Sequence, residues 1–456
     1  MRILLLKPAW PKVPGNIRYT ARVRMPPLGL GVLAAYSEGH DVQVVNGDWQ
    51  PIPYDRSYDL VGISTTTFVS DAAYVAARRF RQQGAKVVLG GVHPTILPEE
   101  ACEHADAVVV GEAESIWQDL LQDAERGRLR PLYRASEPTD MRVVRPPRRD
   151  LLDELPWFTA IEASRGCPAR CRYCYLPHTP WAKHRFRPVE SVAEELAGLP
   201  QRVLVFVDDN LFADRDHAIR LMRAIAPLKK HWVIQVPTTV VDDPELMDHL
   251  AEAGCFNAHV GFQSFNDRTL ELARVSHNRV DKYRQLVSQL HQREIGVTGL
   301  FMFGFDTDGP DVFRTTSDMI RKIEVDDAGL FILTPFPGTG LYEQLRREGR
   351  LLDETRPAEY CWTRAVFRPK RMSVQQLEEG LSWTLHELRS YFRGRLLRSL
   401  WLQRRVIRRA PELGLSVMLG NLRQGTPEVV PGWVRRGRPR RPIASSNAAS
   451  NPVRLL

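Results

Sequence analysis

No stretch of eighteen consecutive apolar residues occurs in this 456-residue chain, so no membrane-spanning helix is expected. A leader is not expected either, because Met1-Arg-Ile-Leu-Leu-Leu-Lys7 is interrupted by charge too early for a secretory signal. That segment reads as a buried strand, and the expected compartment is the cytoplasm. Cysteine is scarce. There are six, and Cys102, Cys255 and Cys361 are scattered while Cys167, Cys171 and Cys174 fall within eight positions. Such a distribution argues against a disulfide framework and directs attention to metal. No repeat of fixed period is present, which excludes solenoids and propellers. The remaining composition, 43% hydrophobic and 26% charged, is that of a globular protein with room for two or three domains.

Acidic residues are rare at one end only. From Arg389 to Leu456 there are fifteen Arg and two Glu, a local charge of +13 that leaves −4 for the rest of a chain whose total is +9. The basicity therefore belongs to the C-terminal segment. Apolar residues there, from Leu388 and Phe392 to Ile407, recur at near-helical spacing. Three readings stay open for them: a helix packed on the body with a solvated Arg face, peripheral contact with an anionic membrane, or nucleic acid, which is disfavoured.

Short apolar runs alternate with helical patterns along the body. Residues 1–6, 41–45, 60–64, 86–89 and 107–110 read as strands, with helical spacing over 28–36, 72–83 and 99–104. This pattern predicts a doubly wound parallel α/β sheet of flavodoxin-like type, whose ligands would sit beyond the carboxyl ends of its strands. The residues at those ends are polar or small: Ser64, Thr65 and Thr66, then Gly90 and Gly91 with His93, then Gly111 and Glu112. A second series of six βα units begins near Thr159, with strands at 159–163, 202–207, 232–236, 257–262, 297–303 and 329–333. It predicts a partial (β/α)6 barrel with its active site at the carboxyl mouth.

Directly after the first barrel strand comes Cys167-Pro-Ala-Arg-Cys-Arg-Tyr-Cys174, a C-x₃-C-x₂-C pattern. Three thiolates can hold a [4Fe–4S] cube and leave one iron free of protein. A zinc site is the alternative that spacing alone leaves open, with His178 or His184 as fourth ligand. The motif and its placement resemble the radical S-adenosylmethionine (SAM) superfamily over about residues 157–345. The resemblance implies a [4Fe–4S] cluster on Cys167, Cys171 and Cys174, with reductive cleavage of SAM to a 5′-deoxyadenosyl radical. It further implies SAM contacts by Tyr173, by Asp208, Asp209 and Asn210, by Gln263 and Ser264, and by the strand ending at Gly304.

Residues 1–135, with Arg24-Met-Pro-Pro-Leu-Gly-Leu30 and the Gly90 and Gly111 segments, resemble the cobalamin-binding domain of class B radical SAM enzymes. The implied corrin and tail contacts are Ser64, Thr65, Thr66, Gly90, Gly91, His93, Gly111 and Glu112. One departure matters. Mutases and methionine synthase carry D-x-H-x-x-G after the first strand, whereas Pro8-Ala-Trp-Pro-Lys-Val-Pro-Gly15 has no His, so cobalt would lack that lower ligand.

The expected organisation is a cobalamin-binding-like domain at 1–138, a linker at 139–156, a radical SAM partial barrel at 157–345, a helical region at 346–434 and a disordered basic tail at 435–456. The implied activity is cobalamin-dependent methylation of an unactivated carbon in a natural-product, lipid or tetrapyrrole-type substrate. Relatives of this architecture also perform cyclisation, ring contraction and oxidation, which is the alternative outcome. An electron donor such as flavodoxin or ferredoxin is implied as a partner.

Overall fold

The computed structural model describes residues 1–10, 25–179, 181–275, 277–352 and 356–395. Apolar runs buried on both faces form its central strands, as parallel sheets covered by helices require. The first sheet contains β1 (Arg2–Lys7), β2 (Asp41–Asn46), β3 (Leu60–Ser64), β4 (Lys86–Gly90), β5 (Ala107–Val110) and β6 (Leu132–Arg134). Its order is β2-β1-β3-β4-β5-β6, and every pairing is parallel. The order reverses between β1 and β3, which places a crevice at their carboxyl ends. Strand β6 was not expected. It has three residues with only Tyr133 buried, too few for a period to show. The helix expected over 99–104 is replaced by two short turns of helix, Val92–Ile96 and Pro98–Cys102, the second starting on its proline.

The second sheet holds β7 (Phe158–Ile161), β10 (Val203–Phe206), β11 (His231–Val236), β12 (Cys255–Gln263), β13 (Gly296–Phe303) and β14 (Asp327–Ile332). They lie side by side in chain order, all parallel, as a partial barrel that stays open between β7 and β14. Between β7 and β10 a short antiparallel pair, β8 (Ser164–Arg165) and β9 (Arg185–Phe186), frames the cysteine loop. Asp214, Asp243, Asn266 and Thr339 each accept a backbone N–H at a helix start, so the chain turns into a helix promptly after leaving the mouth.

Residues 139–156 do not hang free. Arg145 donates to Ala35 O, the Arg148 N–H donates to Gly31 O, and Arg149 pairs with Glu154 and Glu195. The helix Val374–Gly394 begins on a capping box at Ser373 and buries Leu377, Leu381, Leu388 and Phe392 against the barrel. Its described part thus packs on the body, and Arg321 fastens it through Glu387. The remaining arginine-rich segment and the expected disordered tail lie outside the described residues. No described helix is long and apolar enough to cross a membrane.

Candidate functional site

The cysteine loop is held by backbone contacts at both ends. Gly166 has φ +87°, and a Cβ there would stand 2.4 Å from the Lys183 carbonyl oxygen, so the turn before Cys167 requires glycine. Its N–H donates to Asp209 Oδ2 at 2.8 Å, and the Cys167 N–H donates to Ala182 O. Further on, the Arg172 N–H reaches Ala273 O, and Arg172 O accepts from the Leu341 N–H. The three thiols are half-buried and free of disulfides. Burial pushes Cys171 up, and it pushes Cys174 up to about 12, with the neighbouring sulfurs adding to the effect. Thiols in this setting become thiolates when a cation shares the loop.

Two observations test whether a cluster and SAM fit here. Asn210 Nδ2 donates to Cys167 Sγ at 3.6 Å, while its Oδ1 is buried with no partner. An acceptor is therefore left open beside the loop, suited to an amino group. Among the described residues, no three His, Cys, Asp or Glu converge closely enough to hold a single metal ion. His184, a candidate fourth zinc ligand by spacing, instead packs edge-on against Phe186 at 4.4 Å. Three free thiols on one loop, with the open Asn210 acceptor beside them, fit a cluster with SAM alongside.

The other implied SAM contacts divide. Asp208 is turned away: it is 2% exposed and accepts from the Ala163 N–H and from Ser164 Oγ at 2.6 Å. It clamps the end of β7 rather than reaching a ligand, and burial raises its carboxyl to about 7. Ser264 likewise spends its hydroxyl on the Asn266 N–H. Gln263 sits at a register shift between β12 and β13 with φ +65°, its amide lying over Gly261. Strain of this kind survives only where neighbours impose it. The neighbours are Asn278, donating to Gly261 O and Phe262 O, and Tyr283, donating to Phe262 O. Neither residue was singled out from the sequence, because they lie 16 to 21 positions away with no local pattern to mark them.

Tyr173 and Gly304 come together in a cavity of about 380 Å³, with Phe305, Leu333, Gln344 and Lys370. Asp308 shapes it by accepting from the N–H groups of both Gly304 and Phe305 at 3.0 Å, another residue the sequence did not mark.

On the first sheet, a cavity of about 320 Å³ opens at the predicted carboxyl edge. Ser64, Gly90, Gly91, Gly111 and Glu112 all line it, over an apolar floor of Leu5, Leu30, Val88 and Val109. At that volume the space accommodates part of a corrinoid rather than the whole. Thr65, Thr66 and His93 are not among its lining residues. Thr65 is buried and bonds to Thr66 O, and Thr66 faces solvent. The expected place of His93 near the corrin is corrected by its partners: the ring is 1% exposed and held by Thr67, Tyr74 and Glu100.

The barrel closes the same cavity with Glu162, Ser164, Arg165, Trp181 and Asp209. One concave site is thus shared by the glycine edge of the first sheet and the cysteine loop. Across it, Arg165 pairs with Glu112, Glu114 and Glu162, and Arg185 pairs with Glu112. These guanidinium groups hold the Glu112 carboxyl below the usual range against the cost of burial.

With this geometry in view, comparison with known proteins is specific. Residues 161–320 match the Radical SAM superfamily, and residues 17–121 match the B12 binding domain. The chain is 31% identical to the bacteriochlorophyllide d C-12(1)-methyltransferase of Chlorobaculum tepidum over 342 residues, covering 72% of this chain and 74% of that protein. It is 24% identical to the hopanoid C-2 methylase of Rhodopseudomonas palustris, covering 77% and 71%. The radical SAM methyltransferase TsrM from Kitasatospora setae, solved with cobalamin and a [4Fe-4S] cluster bound, shares the fold at TM-score 0.62 and 18% identity, covering 79% and 84%.

Proposed function

The chain belongs to the cobalamin-dependent radical SAM enzymes, and we propose that it methylates an unactivated carbon of a tetrapyrrole-type, lipid or other natural-product substrate. The observation that carries this reading is the shared cavity: Glu162, Arg165 and Asp209 wall the glycine edge while standing within a few residues of the cysteines or of Asn210. When bound, the cluster supplies the electron that splits SAM, and cobalamin supplies the methyl group. The chain's own part is to bind and orient. Cys167, Cys171 and Cys174 hold the cluster, Asn210 Oδ1 offers an acceptor to the SAM amino group, and Tyr173 with Gly304 forms the adenosine side. Asp209 fixes the loop through Gly166.

A planar substrate is favoured by Trp10, Phe336 and Trp362, which stand half-buried where the first sheet meets the barrel, with Phe68 between them at 4.5 to 5.0 Å from Trp10 and Trp362. The relatives that act on bacteriochlorophyllide lend the same direction to the reading. A one-electron donor of flavodoxin or ferredoxin type fits the outer face of the cysteine loop. Arg170 and Arg274 are exposed there. Peripheral membrane contact rests on the arginine-rich segment beyond Arg395, outside the described residues.

Anaerobic turnover with SAM, reductant and candidate substrates tests the reading. 5′-Deoxyadenosine and S-adenosylhomocysteine should form together with methylated product. Formation of 5′-deoxyadenosine alone would move the assignment to the non-methylating chemistry, cyclisation, ring contraction or oxidation.

A further inference from the structure

Arg165 stands between two ligand sites and touches both sides of the junction. Its side chain, 13% exposed, meets Glu114 at 2.6 Å, Glu162 at 2.9 Å and Glu112 at 3.2 Å. Glu112 and Glu114 come from the turn after β5, and Gly111 and Glu112 of that turn line the cavity at the glycine edge. In the other direction, Arg165 is followed by Gly166 and Cys167. The Gly166 N–H holds Asp209, and Cys167 Sγ takes the Asn210 amide. Across the β8–β9 pair Arg165 faces Arg185, which grips Glu112 a second time and also donates to Thr139 O. Hydrogen bonds at either end, joined by the backbone from Arg165 to Cys167, thus lead from the wall of one cavity to the open acceptor of the other site.

From this we propose that Arg165 is a positioning residue that couples cobalamin seating to SAM binding. The inference rests on the assignment of the two sites made above. A guanidinium forked among three half-desolvated carboxylates has few alternative geometries. A ligand that settles the 111–114 turn therefore settles Arg165, and with it the backbone leading into Cys167. Coupling of this kind is reciprocal, so SAM tightens cobalamin by the factor with which cobalamin tightens SAM. Its use to the enzyme is to disfavour SAM binding, and hence radical formation, while the methyl carrier is absent.

The test uses the full chain with its cluster reconstituted and oxidised, so that SAM binds without being cleaved. Hydroxocobalamin is titrated by absorbance with and without saturating SAM. The affinity ratio is expected to be about fivefold or more in the unaltered protein. Arg165→Lys keeps the charge and loses the fork, and should bring the ratio near one while the cluster absorbance persists. Glu114→Gln, which leaves Arg165 two carboxylates, serves if the lysine variant does not fold, and should lower the ratio part of the way. A ratio near one in the unaltered protein overturns the proposal. So does an Arg165→Lys protein that binds both ligands more weakly but with the ratio intact, since that marks a structural role only. Absence of any cobalamin binding to the cluster-loaded protein would instead overturn the assignment of the first cavity itself.

Discussion

The glycine edge of the first sheet and the mouth of the barrel are built by opposite means. On the first sheet the wall consists of missing side chains: Gly90, Gly91 and Gly111 present bare backbone, and the nearby polar groups Thr65 and His93 turn inward. On the barrel the wall consists of side chains that clamp backbone, with Asp208 on β7, Asn278 and Tyr283 on the end of β12, and Asp308 on the turn after β13. A wall of absences admits a large flat ligand and is damaged by adding atoms. A clamped wall keeps strained turns in register and is damaged by removing hydrogen bonds. The cysteine loop belongs to the second kind, and it carries the largest expected effect. Replacing Cys171 with Ala should remove the reconstituted cluster's absorbance and abolish SAM cleavage, read as 5′-deoxyadenosine, while the first cavity still takes up cobalamin. If that variant cleaves SAM as before, the division into two separately built walls is wrong.

The next effect tests the wall of absences directly. Gly91 has φ +99°, and a Cβ would lie 2.7 Å from the Thr65 carbonyl oxygen. Gly91→Ala should cost roughly 3 kcal/mol, from the left-handed backbone and the clash with main-chain atoms. Cobalamin uptake should fall more sharply than SAM binding at the cluster. Equal losses of the two would mean that the glycine edge has no separate duty.

How much of this could be read in advance follows the same division. The cysteine spacing is local, and so are the two periods that mark strands and helices, so the cluster loop and both sheets, β6 excepted, are legible. The glycine edge is legible for the same reason, because carboxyl ends of parallel strands are known places. The clamps are not. No local pattern in the chain sets Asp308, Asn278 or Tyr283 apart. Asp208 is a SAM contact only by the resemblance of the 208–210 run to the family, and burial turns it toward Ser164 instead. Arg165 is 51 residues from Glu114, and Arg185 is 73 from Glu112. Pairings across such separations are made by the fold, and no spacing in the chain announces them.

Asp308 allows the clamped wall to be probed by pH. Burial raises its carboxyl from 3.8 to about 7, although the two amides it accepts from pull it down. A carboxyl raised in the fold stabilises the protein fully below its unfolded value, and that contribution fades as pH climbs through the folded value. Urea unfolding at pH 5 and pH 8 should therefore show Asp308→Asn gaining about 2 kcal/mol on the parent over that interval, since the amide does not titrate. A constant difference between the two proteins would mean that Asp308 stays ionised in the fold and holds the turn as a charged acceptor.

The smallest expected effect separates position from stability on the same wall. Tyr283→Phe removes one hydroxyl from Phe262 O and should cost about 1 kcal/mol, a change that thermal unfolding resolves. Gln263 keeps its strained conformation only while the β12 end is held on both sides, by Asn278 as well as Tyr283. With one brace gone, the strand end has room to relax toward ordinary backbone, carrying Gln263 away from the mouth. SAM affinity at the oxidised cluster should then drop severalfold, while cobalamin uptake at the glycine edge stays unchanged, because no contact of Tyr283 reaches that cavity. A loss of stability with unaltered SAM affinity would show the brace to be ordinary core, and would leave Asn278 alone to hold the turn.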